Sequence, residues 1–115
     1  MADDDGRWVV LCSRDRLAAQ KIICATVAGV AIILVQDDDT IVACERTCPH
    51  EQADLSRGHV SGGRLHCPHH RASFSLASGD ISPGWPSRSL RTFPVRFDEV
   101  QVWIDSQAVL AASSD

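Results

Sequence analysis

The sequence has no hydrophobic stretch long enough to cross a membrane as a helix. Its longest apolar run, residues 22–35, is fourteen residues long and contains Thr26 and Gly29, whereas a spanning helix needs about twenty. It has no excess of positive charge. Eleven Lys and Arg stand against fifteen Asp and Glu, a net charge of −4 with neutral histidines, which argues against a nucleic-acid partner. It lacks a G-x-G-x-x-G nucleotide loop, a low-complexity linker and any visible internal repeat. Its acidic start, MADDDGRW, has no signal-peptide profile. The five cysteines are an odd number, which without an export signal speaks against a disulfide scaffold and for thiols or metal ligands. These absences predict a cytoplasmic protein without membrane contact. Its 115 residues predict one domain.

What is present is unevenly placed. Residues 46–96 carry a local charge of +4, the remainder −8, and all five histidines lie in the positive stretch. Residues 8–11 read as a short strand, with Ser13 as N-cap of a helical turn. Eight of the fourteen residues at 22–35 are β-branched, so two strands joined at Ala28-Gly29 are favoured over one helix. Asp37-Asp38-Asp39 reads as a turn into a strand at 40–44. Between 46 and 90 the periodicity fades, and glycines and Pro83-Gly84-Trp85-Pro86 mark turns. Strands return at 91–97 and 101–104, and the Ala/Ser-rich tail from Ser106 is expected to fray or to form a weak final turn. The expected fold is all-β: a small antiparallel sandwich or barrel base, residues 1–45 and 91–110, carrying a loop-rich insert at 46–90.

The insert contains Cys48-Pro49-His50 and Cys67-Pro68-His69-His70. Each half sets a thiolate close to an imidazole, so two loops supply two sulfur and two nitrogen donors to one centre. A shuffled chain of this composition meets that spacing only about twice in ten thousand. Such a centre also replaces the apolar core that a loop-rich stretch lacks. The donor set suits either one structural Zn²⁺ or a [2Fe–2S] cluster. The C-x₂₋₄-C pair usual for zinc is absent.

With these motifs the chain, from about Trp8 to Ala108, resembles the Rieske-type [2Fe–2S] ferredoxins of bacterial multicomponent aromatic-ring-hydroxylating oxygenases. The resemblance implies one [2Fe–2S] cluster, with Cys48 and Cys67 on the buried iron and His50 and His70 on the outer iron. It implies that the loop at 83–86 covers the cluster. Two departures stand out. Respiratory-complex Rieske proteins have a disulfide between the two loops, and Ala53 and His69 occupy those places here. The same proteins have a serine two residues after the last ligand and a tyrosine four after it, whose hydroxyls bond to sulfur. Here the residues are Ala72 and Phe74, which predicts a lower reduction potential. Arg71 stands where many relatives have glycine, and its charge acts in the opposite direction.

The implied role is one-electron transfer from an NAD(P)H-linked flavoprotein reductase to a terminal oxygenase, with no catalytic residue in this chain. A monomer docking near His50 and His70 is expected. A small electron-input subunit of an assimilatory nitrite reductase is the nearest rival, and a zinc-stapled interaction module is another. Trp8 and Trp103 read as strand core, and Trp85 as packing for the covering loop. Cys12, Cys24 and Cys44 read as buried strand thiols, and His59 and His66 as surface residues. Arg46, Arg57, Arg64, Arg71 and Arg88 are candidates for a cationic collar.

Overall fold

A computed structural model describes residues 7–49, 52–68, 72–84 and 87–113. The predicted ligands His50 and His70, together with His69, Arg71, Trp85 and Pro86, lie outside the described residues.

The first strand, β1 (Trp8–Ser13), runs into helix α1 (Arg14–Gln20). Ser13 caps that helix, its hydroxyl accepting from Arg16 N–H at 3.1 Å. An antiparallel meander follows, β2 (Ile22–Val27), β3 (Val30–Asp37) and β4 (Thr40–Glu45). Ala28 and Gly29 both take positive φ in the first turn, as a tight hairpin between twisted strands requires. The segment from 46 to 66 holds a 3₁₀ turn (Leu55–Arg57) and the hairpin β5 (His59–Ser61) and β6 (Arg64–His66). Strand β7 (Ser73–Ser75) pairs with β6. The chain returns through β8 (Thr92–Phe93), β9 (Val95–Phe97) and β10 (Gln101–Asp105) to α2 (Ser106–Ser113).

The strands form three antiparallel sheets, ordered β1-β10-β9, β2-β3-β4-β8 and β5-β6-β7. The β2-β3-β4-β8 sheet lies in the middle. One of its faces sends Ile32, Leu34, Ile41 and Ala43 into a core shared with Leu17, Val102, Ile104 and Val109. The other sends Ile33, Val35 and Cys44 into a second core with Cys48, Leu55, Leu65, Cys67 and Phe74. Burial on both faces explains why β3 is apolar without alternation.

Four expectations need correction. Residues 91–97 are not one strand. Pro94 interrupts them, so Phe93 pairs with Ala43 in the middle sheet and Val95 with Ile104 in the outer one. Proline has no N–H to give a ladder, and its carbonyl instead accepts from Asp105 N–H at 3.1 Å. The tail does not fray at once, because Asp105 caps α2 by accepting from Gln107 and Ala108 N–H. Trp8 and Trp103 are half-buried, on the outer face of the β1-β10-β9 sheet. The Arg96 guanidinium lies 4.2 Å over the Trp8 ring. Cys24 is exposed, whereas Cys12 and Cys44 are buried as expected.

These burials predict thiol reactivity. Burial, with a smaller contribution from the adjacent Glu45 carboxylate, pushes the Cys44 thiol up to about 12, so it stays protonated and inert at neutral pH. In the cluster-loaded protein one thiol per chain should react quickly with a maleimide, and Cys24→Ser should abolish that labelling. Rapid labelling of the Cys24→Ser protein would contradict the burial pattern.

Candidate metal centre

Strand β4 delivers the chain to the first of two matched loops. Thr47 pairs with Asp54 across its neck. Inside that pair Cys48 N–H donates to the Ala53 carbonyl at 2.8 Å, and outside it Leu55 N–H donates to the Arg46 carbonyl at 2.8 Å. The second loop has the same form. His66 pairs with Ser73 across its neck, and Cys67 N–H donates to the Ala72 carbonyl at 3.0 Å. Each loop is therefore a hexapeptide that opens on Cys and closes on Ala, CPHEQA at 48–53 and CPHHRA at 67–72. This is the short internal repeat that the expectation of none overlooked. Its signal, C-P-H-x-x-A twice, stands in the sequence.

Both loops turn their cysteines inward. Cys48 is 0 % exposed and Cys67 4 % exposed, and both belong to the core under the middle sheet. All five cysteines are free of disulfides. Two buried, unbridged thiols entering one core from matched loops suit a soft-ligand metal group. Among the described residues no three Cys, His, Asp or Glu side chains gather as a metal-ion site. The histidine half of the predicted set lies outside those residues. Cys44 shares the core but stands on β4, outside both hexapeptide loops.

The surroundings hold the necks of both loops. Arg46 forks onto Asp54, with Nε and Nη2 each 3.0 Å from a carboxylate oxygen. Asp54 also accepts from Ser56 N–H at 3.0 Å and from its hydroxyl at 2.6 Å. At the second neck Arg64 Nε donates to Ser73 Oγ at 2.6 Å, and Nη2 donates to the carbonyls of Ser73 at 3.1 Å and Asp80 at 3.4 Å. Glu45 accepts from both terminal nitrogens of Arg88, at 2.7 and 2.8 Å, and from Arg91 N–H at 2.7 Å. This fastens residues 88–91 to the end of β4. The Asp37 carboxylate accepts from Gly63 N–H at 2.6 Å, tying the tip of the β5–β6 hairpin to the base. Gly79 holds φ at 81°, and an added Cβ would lie 2.7 Å from the Leu90 carbonyl oxygen. Gly58 has ordinary φ, but its Cβ would fall 1.9 Å from the carbonyl oxygen of His66, the residue before Cys67. His66 also stacks on His59, centroids 4.5 Å apart.

Arg46, Arg64 and Arg88 thus bond within the chain and brace the two necks and the end of β4. Ala72 and Phe74 are fully buried, with no hydroxyl at either position.

The Arg46 guanidinium, then the Ser56 hydroxyl, holds the Asp54 carboxyl well below the usual carboxylate range. Its contribution to stability is present above the ordinary carboxylate pKa of about 4 and is lost as pH falls through the depressed value. Asp54→Asn should therefore lower the melting temperature at pH 7 and flatten the loss of stability below about pH 4. Both side chains are about a third exposed, so solvent screening keeps the loss modest. Parallel melting curves for the two proteins from pH 7 to pH 3 would show the brace to be idle.

Residues 7–94 match the family model described as the Rieske [2Fe-2S] domain. The ferredoxin component of the naphthalene 1,2-dioxygenase system of Pseudomonas putida is 24% identical over 99 residues, covering 86% of this chain and 95% of that protein. Human apoptosis-inducing factor 3 is 34% identical over 73 residues, covering 64% of this chain but 12% of that protein. A chain in the solved complex of reduced oxygenase and oxidized ferredoxin in carbazole 1,9a-dioxygenase superposes with a TM-score of 0.77 and 25% identity, covering 87% of this chain and 94% of its own. The matched hexapeptide loops, the two buried thiols and the family match converge: this chain belongs to the Rieske [2Fe–2S] domain family and binds one [2Fe–2S] cluster.

Proposed function

We propose that the chain is a one-electron carrier between an NAD(P)H-linked flavoprotein reductase and the terminal oxygenase of an aromatic-compound hydroxylation system. The observation that carries this reading is coverage. The match spans 95% of the naphthalene ferredoxin component, whereas it spans 12% of apoptosis-inducing factor 3, and the reading follows the relative that is matched almost whole.

Cys48, His50, Cys67 and His70 are the ligands in this reading. Residues 46–90 bind the cluster, and 1–45 with 91–110 form the base. When bound, the cluster takes up and releases one electron, and mixed thiolate and imidazole ligation makes it easier to reduce than an all-cysteine cluster. The chain's own residues hold the loops still. Two necks, three arginine braces and the Asp37–Gly63 bond fix the backbone on either side of the ligands. Such pre-formed loops keep rearrangement on electron transfer small. Both partners dock in turn beside His50 and His70, and the carrier works as a monomer. Its unbridged thiols suit the reducing cytoplasm.

Anaerobically purified protein should contain about two iron and two acid-labile sulfide per chain. It should give a rhombic EPR signal after dithionite. It should also restore NAD(P)H-dependent turnover to a reductase–oxygenase pair that lacks its carrier. One zinc and no sulfide would end the reading. Isolation only as a fixed subunit of a nitrite-reducing complex would replace the oxygenase partner.

A further inference from the structure

The two cluster loops share length, closing bond and neck pairing, but their arginine braces differ in charge balance. At the first neck Arg46 meets the Asp54 carboxylate twice, at 3.0 Å, so that brace is an ion pair. Arg57 also approaches Asp54, at 4.0 Å, but its side chain is 79% exposed and water screens it. At the second neck the Arg64 guanidinium meets only neutral oxygens: the Ser73 hydroxyl at 2.6 Å, the Ser73 carbonyl at 3.1 Å and the Asp80 carbonyl at 3.4 Å. Among the described residues no carboxylate pairs with it. The acids beside it in the fold keep their charge but bond to neutral donors and make no ion pair with it. Asp37 accepts from Gly63 N–H at 2.6 Å, and Asp80 accepts from Ser89 Oγ at 2.8 Å.

Arg64 is held close to the second loop. Ser73, its main acceptor, pairs with His66 and follows Ala72, whose carbonyl receives Cys67 N–H at 3.0 Å. Its side chain is half-buried and fixed by three bonds, so it acts from one place and not as a mobile surface charge. Reduction adds one negative charge beside this loop. A fixed cation without an ion-pair partner among the described residues favours the more negative state, and partial burial weakens the screening.

We propose that Arg64 is a potential-setting residue. Its fixed charge at the second neck raises the reduction potential and offsets part of the decrease caused by the missing hydroxyls at Ala72 and Phe74. It acts through the field at the cluster and as a brace on Ser73, without touching the cluster. The inference rests on the proposed ligand set and deepens it, since the two necks then have different tasks. The first holds the loop with a balanced ion pair, and the second holds it with a net charge.

The test is a redox titration of the cluster-loaded protein, followed by visible absorbance and EPR. Arg64→Gln should shift the reduction equilibrium three- to tenfold toward the oxidised form, about 30–60 mV at 59 mV per tenfold for one electron. Arg64→Lys, which keeps the charge without the planar fork, should stay near the wild-type potential. The double variant Arg7→Gln/Asp105→Asn removes a balanced pair in the base, at 2.7 Å, and should leave the potential near wild type, whatever it does to melting temperature. Raising the salt should narrow the gap between Arg64→Gln and wild type. An unchanged potential in an intact Arg64→Gln cluster would overturn the proposal. So would an Arg64→Lys protein shifted as far as Arg64→Gln, or an Arg64→Gln protein unable to hold its cluster, since either would assign the residue to structure alone. A wild-type chain without iron and sulfide would remove the underlying reading as well, so the two failures are distinguishable.

Discussion

Gly58→Ala is expected to lose most of its cluster during purification and to melt about 10 °C or more below wild type. The cause is a close approach of backbones. Gly58 ends the 3₁₀ turn, its N–H donating to Leu55 at 3.0 Å. A Cβ there would sit 1.9 Å from the His66 carbonyl oxygen. No side-chain rotation relieves that contact, because the obstacle is main chain. Either the turn moves, and with it the neck around Asp54, or β6 moves, and with it Cys67. Overpacking of this kind costs about 3 kcal/mol, which for a domain of this size is roughly 10–20 °C. Gly62 is the control. A Cβ at that position meets nothing within 4 Å, although its φ is +60°, so Gly62→Ala should cost only about 1 kcal/mol of backbone strain. Equal melting temperatures and iron contents for the two variants would show that the approach at Gly58 is not tight in solution.

The second large effect is a rise in reduction potential when hydroxyls are restored beside the cluster. Ala72 and Phe74 lie on the inward side of the second loop and β7, both fully buried. Ser73 faces the other way, with its hydroxyl on Arg64. Ala72→Ser and Phe74→Tyr would place donors where the high-potential Rieske proteins carry them. A hydrogen bond to sulfur is stronger in the reduced, more negative state. A difference of about 1 kcal/mol per bond corresponds to roughly 40 mV for one electron. The double variant should therefore rise by on the order of 80 mV. Since Arg64 acts through charge and these residues through hydrogen bonds, the two effects should add within a few tens of millivolts. An intact cluster in the double variant at wild-type potential would mean that the hydroxyls do not reach sulfur in this fold.

The assignment of the base strands followed from short-range chemistry. Eight β-branched residues in fourteen favour strands at 22–35 whatever surrounds them, and Ser13 caps a helix because its hydroxyl meets the third N–H of the next turn. The metal-binding chemistry was equally local, since a thiol and an imidazole two or three residues apart point at one centre in any loop. The breaks were local too, but they were harder to weigh. Pro94 divides residues 91–97 between two sheets because the outer sheet needs β9 and the middle sheet needs β8, a demand from partners far along the chain.

The sequence by itself determined that two Cys–His loops stand on a small β base and that Ala72 and Phe74 bring no hydroxyl to sulfur, because residue type and spacing are properties of the chain alone. Only the tertiary structure decided that Cys24 faces solvent while Cys44 does not, that Arg46 is balanced by a carboxylate while Arg64 is not, and that Gly58 must lack a side chain. Each of those depends on which distant segment arrives opposite: Asp54 or Ser73 before an arginine, the His66 carbonyl before a glycine. Charge balance and close approach are relations between segments, and the chain settles them only when its sheets are assembled.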